Sequence, residues 1–373
     1  MKEIISALRT CRDEQLPCVV ATIIRVDGSA YRKEGARCII QPNGDIIGIL
    51  SGGCIEEDIR EHAYGIFQSG RPQKLYYDFR AGEDDLWGLG IGCNGAITVW
   101  LELFDPVNFP AAAEAMLHDY EARAGCTAAY YAFTVMTSEH PGAYASGQRW
   151  NVPAGVAYSE FALPDAQTGI AEALIDGKRV EALVETIQPV PRLTIIGVGA
   201  DVELLSQMAK MMEWHVRIVY HETSRAVKER FPAADELHYV PRADFSGLPI
   251  PPRHYVVVMT HNLELDQEAV KQLLPQDSVA YIGVLGSRSR IRKIVDFAGN
   301  ADDFHARWLQ KLHAPIGLDI GAKTPQEITL SIMAEMIAHW NGRNGESMRN
   351  TLNMGMSFAF DSGKEQSCPN PFG

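Results

Sequence analysis

The chain has 373 residues, of which 46% are hydrophobic and 22% charged, a balance that excludes disordered and fibrous proteins. The formal net charge of −13 and the lack of a strongly basic run argue against a nucleic-acid partner, because neutralising phosphates requires clustered Lys and Arg. No window approaches the ~18 consecutive apolar residues of a membrane helix, and charged residues interrupt the first apolar stretch, unlike in a signal peptide. We therefore expect a cytoplasmic protein that makes no membrane contact.

The cysteines are scattered along the chain without any CxxC pair. Their number is odd, which does not suit a framework of disulfide bonds, and their spacing does not suit structural zinc. The seven are Cys11, Cys18, Cys38, Cys54, Cys93, Cys126 and Cys368.

The first half of the chain has the pattern of an α+β domain. A helix at the N-terminus precedes the strand PCVVATIIRV, and the turn at 42–45 joins the strands ARCIIQ and DIIGIL into a hairpin. After SGGC, a helix with one apolar face ends at Gly70, and the strands KLYYDF and AITVWLELF follow. The less regular stretch, roughly 110–180, begins with a helix and continues with strand-like pieces around AAYYAFTVM and EALVETI.

The two prolines at 189 and 191 predict a domain boundary, because Pro disfavours a continuing helix or strand. Beyond them, apolar strands alternate with helical stretches, which indicates a doubly wound parallel sheet of the Rossmann type. Thr324, Pro325 and Glu327 form a capping box at the start of a final helix. We expect domains at 1–190 and 191–345 and a loosely ordered tail at 346–373.

Two glycine-embedded cysteines stand out in the first half. Cys54 follows Ser51-Gly52-Gly53 at the start of a helix, where backbone amides can hold an anion and the helix dipole favours a thiolate. Cys93 lies in the loop 88–95, which contains four glycines, as expected where the backbone approaches a ligand closely. The alternative for Cys54 is a small buried apolar residue, and spacing alone does not show whether the two cysteines meet.

Candidate ligand contacts in the second half lie at the ends of its strands. Gly197 and Gly199 follow a strand and open a helix, as in a dinucleotide site, although Val202 replaces the third glycine of that pattern. His261 and Arg288 follow two further strands, at the edge where ligands of open α/β sheets bind. The alternatives are glycines that only build the turn and side chains that face solvent.

Seven segments in series resemble the xanthine dehydrogenase accessory family, XdhC/CoxI. The resemblance runs from about residue 15 to 340, and its segments are GSAYRKEGAR, SGGCIEEDI, DDLWGLGIGCNG, RLTIIGVGAD, MTHNLELD, YIGVLGSRSR and PIGLDIGAKTPQEITLSIMAE. It implies an accessory protein that transiently binds the molybdenum cofactor (molybdopterin). The protein would protect this cofactor, support its sulfuration with a cysteine desulfurase and deliver it to a xanthine dehydrogenase or related molybdenum hydroxylase. A homodimer is also implied.

Mapped onto this sequence, the resemblance makes Cys54 and Cys93 candidate contacts to the molybdenum. The full set of predicted cofactor-binding residues is Gly52, Gly53, Cys54, Glu56, Gly92, Cys93, Asn94, Gly95, Gly197, Gly199, Asp201, His261, Gly286 and Arg288. An NAD(P)-dependent oxidoreductase with His261 as its acid–base residue is the alternative function. A thiol redox protein, in which Cys54 and Cys93 form a reversible disulfide, is another.

Overall fold

The computed structural model describes residues 1–80, 95–156, 161, 168–221, 227–241, 244–298 and 306–348. The chain divides into two compact units between Val190 and Pro191. Each unit has its own sheets and its own hydrophobic clusters.

An antiparallel sheet of five strands, in the order β3-β2-β1-β5-β4, forms the first part of the N-terminal unit. Side chains alternate between its faces, so Val19 and Ala21 pack on one side with α2, whereas Val20 packs on the other with α1 and α3. The apolar face predicted for α2 is confirmed, and Gly70 ends this helix in the left-handed conformation. The elements are α1 (Lys2–Asp13), β1 (Cys18–Gly28), β2 (Arg37–Ile40), β3 (Ile46–Gly48), α2 (Glu56–Ser69), β4 (Gln73–Asp78), β5 (Gly95–Phe104) and α3 (Pro110–Gly125).

A second antiparallel sheet completes this unit with β6 (Tyr130–Ser138), β7 (Arg149–Pro153), β8 (Thr168–Ile175) and β9 (Lys178–Ile187). Its strand order is β7-β6-β9-β8. The predicted strand-like pieces AAYYAFTVM and EALVETI correspond to β6 and β9, which are paired neighbours. The edge strands β7 and β8 were not predicted from the sequence.

A buried ion network links the two sheets and α3. Arg37 on β2 donates two hydrogen bonds of 2.6 Å to Glu185 on β9, and Arg123 on α3 pairs with the same carboxylate. These three side chains are at most 4% exposed. Burial alone would raise the pKa of Glu185, but Arg123 and Arg37 outweigh it and hold that pKa at about 2. Glu185 is therefore ionised and ties together three elements that are distant in sequence.

The C-terminal unit has the predicted doubly wound fold, with six parallel strands in the order β12-β11-β10-β13-β14-β15. Helices α4 and α9 cover one face of the sheet, whereas α6 and α7 cover the other. Its elements are β10 (Arg192–Ile196), α4 (Ala200–Met211), β11 (His215–Tyr220), α5 (Val227–Arg230), β12 (Glu236–Tyr239), β13 (His254–Val258), α6 (Leu263–Leu273), β14 (Val279–Val284), α7 (Arg288–Ala298), α8 (Ala306–Lys311), β15 (Leu312–His313) and α9 (Pro325–Trp340).

Helix α9 confirms the most detailed of the local predictions. The Thr324 hydroxyl accepts the Glu327 amide, and the Glu327 carboxylate accepts the Thr324 amide, so both halves of the capping box are present. Within the described part of the chain, no helix is both long enough and apolar enough to cross a membrane.

Candidate functional site

The loop 50–55, which carries Cys54 and joins β3 to α2, is closed by the carboxylate of Glu56. That carboxylate accepts the amides of Leu50 at 3.2 Å, Ser51 at 2.9 Å, Gly53 at 3.0 Å and Ile55 at 3.2 Å. It also accepts the hydroxyl of Ser51. The loop thus wraps around the first residue of its own helix, and this arrangement holds its backbone in one conformation.

Two loop residues allow this tight wrap. Gly52 and Gly53 have φ values of +79° and +112°, which are unfavourable for residues that carry a Cβ.

Burial opposes ionisation of Glu56, yet the hydrogen bonds from Ser51 and the amides prevail and lower the pKa of this carboxyl. The Gly53 amide and the Glu56 carboxylate, both predicted to contact a cofactor, therefore bond to each other in this structure.

Cys54 is half-buried and borders a small apolar cavity of about 10 Å³, whose walls include Ile23, Phe79 and Ile97. This cavity has room for about one water molecule and for nothing larger. Among the described residues, none covers the outer side of the loop at Gly53, because a Cβ built there would meet no atom of theirs within 4 Å. The Tyr31 ring, which is 62% exposed, lies next to the loop. Any larger ligand must approach Cys54 from this outer side.

The other described cysteines differ from Cys54 in their surroundings. Cys11, Cys18 and Cys38 are buried, and burial raises the pKa of the Cys38 thiol to about 12. Cys126 is also only half-buried, but its thiol donates a hydrogen bond to the carbonyl of Gln188. Cys38 is therefore a neutral thiol near neutral pH, and its role in the structure is that of a small core residue.

The second cysteine motif falls mostly outside the described residues, including Gly92, Cys93 and Asn94. Gly95 is described and begins β5, where it pairs with Gly28. A Cβ on Gly95 would lie 2.5 Å from the carbonyl oxygen of Ser29. This glycine is therefore needed for close approach of two strands, whatever else it contacts.

At the carboxyl edge of the parallel sheet, the turn after β10 already holds a carboxylate. The Asp201 side chain lies over Gly199 and bonds to His261 Nε2 at 2.9 Å and to the Val202 amide at 3.0 Å. His261 is 62% exposed and has φ +62°, a conformation that costs energy for a residue with a side chain. An acidic side chain thus occupies the N-terminus of α4, where a dinucleotide would place its phosphates.

A cavity of about 380 Å³ opens beside this pair and brings several predicted residues together. Asp201, His261 and Gly286 line it, along with Arg290, whose guanidinium pairs with the buried Asp266. Arg288 is exposed and is not among the lining residues. Side chains two positions apart on a helix point in directions that differ by about 200°, so only one of the two arginines can face the cavity. The sequence analysis did not predict Arg290, or the α9 residues Pro325 and Ile328, as ligand contacts, although all three line this cavity.

Comparison with known proteins covers both units. Residues 11–78 match the model of the XdhC and CoxI family, and residues 193–336 match that of the XdhC Rossmann domain. A Bacillus subtilis protein, named as a probable subunit of xanthine dehydrogenase, is 31% identical over 332 residues, which are 87% of this chain and 94% of that protein.

A solved structure from Bacillus halodurans, described as a xanthine dehydrogenase, aligns with a TM-score of 0.69 and 30% identity, covering 92% of this chain and 97% of its own. The Escherichia coli molybdenum cofactor insertion chaperone PaoD is 32% identical over 84 residues, which are 22% of this chain and 25% of that protein. The chain belongs to the XdhC and CoxI family.

Proposed function

We propose that this protein is an accessory factor for a xanthine dehydrogenase or a related molybdenum hydroxylase. It binds the molybdenum cofactor transiently, protects it, supports its sulfuration by a cysteine desulfurase and delivers it to the enzyme. The name of the Bacillus subtilis relative supports the link to xanthine dehydrogenase, and the similarity to PaoD supports a role in cofactor insertion. The proposal includes action in the cytoplasm, a homodimer and domains at 1–190 and 191–345.

The observation that carries this proposal is the half-buried thiol of Cys54, on a loop whose outer face at Gly53 is covered by no residue that the structure describes. A thiolate is a suitable soft ligand for a transition metal, and the loop that carries it is held in place by Glu56. Cys93, from the second motif, is the proposed second contact. The cofactor supplies the molybdenum centre, whose oxo ligand is exchanged for sulfido during sulfuration.

The size of the cavity behind Cys54 and the hydrogen bond of the Gly53 amide restrict which atoms near this loop we propose as contacts to the cofactor. The cavity behind Cys54 is too small for a pterin, so the cofactor lies on the outer face, next to the exposed ring of Tyr31. The Gly53 amide already donates to Glu56 and is not available to oxo or phosphate oxygens. The contacts that we propose here are therefore the thiol of Cys54 and the flat ring of the neighbouring Tyr31.

An anaerobic titration of the purified apoprotein with molybdenum cofactor tests the proposal. We expect tight retention in the wild type and loss of retention in Cys54→Ala and Cys93→Ala, with thermal melting showing that both variants stay folded. Cys126→Ala removes another half-buried thiol of the same unit and serves as the matched control, which should retain the cofactor.

Two results would count against this function. Unchanged cofactor retention in both cysteine variants would remove the proposed site. Binding of NADH or NADPH, titrated in parallel, without any binding of molybdenum cofactor would favour the oxidoreductase instead. The carboxylate of Asp201 at the start of α4 leads us to expect no tight nicotinamide binding, because it repels the phosphates of such a ligand.

A further inference from the structure

The N-terminal unit contains a second cavity, of about 280 Å³, that shares no wall residue with the small cavity behind Cys54. It is bounded by β5, α3, the turn at 70–72 after α2 and the turn that precedes β7. Its volume is close to the lower end of the range typical of small-molecule sites. Nothing in the proposed handling of molybdenum uses this space.

The floor of this cavity is an ion pair between Arg149 and Glu102, whose opposite charges cancel. Arg149 donates to the carboxylate of Glu102 and, at 2.8 Å, to the carbonyl of Gly147. The Arg149 and Glu102 side chains are 7% and 9% exposed. Arg71 at the rim differs, because it is exposed and its guanidinium has no carboxylate partner within the described residues. The cavity thus has a neutral floor and, in the part of the chain that the structure describes, an unpaired cation at its mouth.

The walls of the cavity are largely apolar and partly aromatic. Trp100 and Met116 are 4% and 3% exposed, whereas Phe109 at the rim is 54% exposed. The indole N–H of Trp100 is buried and finds no acceptor among the residues that the structure describes. Buried donors are normally paired, so the Trp100 N–H is an unusual donor that none of the described acceptors of this wall reaches.

We propose that this cavity binds a flat aromatic monoanion of one or two rings. The rings pack against Phe109 and Met116, and the anionic group pairs with Arg71. A carbonyl oxygen or ring nitrogen of the ligand supplies the acceptor that the Trp100 indole lacks. This site does not depend on the proposed cofactor function, since it contains no cysteine and involves neither cysteine motif.

Isothermal titration calorimetry of the full chain with kynurenate, a two-ring carboxylate with a ring carbonyl, tests the site. Its uncharged analogue 4-hydroxyquinoline serves as the ligand control. Ala112→Trp fills the mouth of the cavity from an exposed position on α3, so it should abolish binding while leaving the circular dichroism spectrum unchanged. We expect Arg71→Gln to weaken kynurenate binding by about threefold to fivefold, the upper part of the usual range for an exposed ion pair.

Arg32→Gln removes an exposed arginine that does not line the cavity and should leave binding unchanged. Binding of kynurenate that is stronger than that of 4-hydroxyquinoline and is lost in Ala112→Trp supports the site. Three outcomes overturn it: no binding to the wild type, equal binding to the wild type and Ala112→Trp, or equal weakening by Arg71→Gln and Arg32→Gln.

Discussion

Replacing Glu56 by Gln tests whether this carboxylate holds the Cys54 loop in place. Glu56 accepts four amides and one hydroxyl, and Gln keeps only one acceptor oxygen while it turns an N–H₂ group towards the remaining donors. Hydrogen bonds to a charged group are each worth about 1.5–3 kcal/mol, but this group is partly accessible to water, which can replace some of them. We expect Glu56→Gln to lower the free energy of unfolding by about 2 kcal/mol.

Urea denaturation followed by circular dichroism measures this loss. Glu57→Gln is the matched control, because Glu57 is the next residue of the same helix, is 71% exposed and forms a surface ion pair with Arg60. This control should change the free energy of unfolding by less than about 0.5 kcal/mol. A loss in Glu56→Gln no larger than in Glu57→Gln would refute the view that the carboxylate closes the loop.

The pH dependence gives the same prediction an independent check. The pKa of Glu56 is lowered in the folded state, so its contribution is complete above the unfolded pKa of ~4.3 and is lost as pH falls through the lower, folded value. The difference between wild type and Glu56→Gln should stay constant from pH 7 to about 5 and shrink below about 4. A difference that does not shrink in acid would assign the effect to side-chain shape and not to charge.

Three further variants test other parts of the structure by urea denaturation. Glu185→Gln leaves two buried arginines without the anionic partner that they share and should lower the free energy of unfolding by about 3–5 kcal/mol. The measurement at pH 7 lies well above the folded pKa of about 2, so the wild-type carboxylate is ionised there. A loss below about 1 kcal/mol would contradict the network. Gly197→Ala should cost at least about 2 kcal/mol, because φ is +143° and its Cβ would lie 2.5 Å from the Met259 carbonyl oxygen. Gly247→Ala should be neutral, since a Cβ there would meet no atom of the described residues within 4 Å. His261→Gly should raise the free energy of unfolding by about 0.5–1 kcal/mol, because glycine adopts the left-handed φ without strain and this gain exceeds the loss of the contact between the exposed His261 ring and Asp201. A decrease would contradict that account.

The parts of the fold that were predicted from the sequence rest on local patterns. The spacing of Ile59, Ala63 and Ile66 indicated α2, and Thr324 with Glu327 indicated the start of α9, because helix periodicity and capping involve residues three or four apart. The apolar, β-branched strands of the second half indicated a parallel sheet, because they alternate with helical stretches. Each of these signals is carried within a short stretch of chain.

The missed strands depend on partners that are distant in sequence. β7 has five residues and is an edge strand that pairs with β6, while β8 lies at the opposite edge and pairs with β9. β7 is short, and β8, although eight residues long, alternates irregularly between buried and exposed side chains, so their own residues do not distinguish them from loops. Their pairing is decided by the whole sheet.

The sequence by itself determined the family, the two-unit α/β organisation and the identity of the residue types at the candidate site, because each depends on motifs or on short-range periodicity. Only the tertiary structure decided how those residues are used. It turned Glu56 towards the amides of its own loop, left Cys54 half-buried beside a small apolar cavity, and placed Arg290 instead of Arg288 at the cavity of the second unit. These outcomes depend on the direction in which a side chain leaves a folded backbone, and that direction is set by long-range packing, which a linear pattern does not contain.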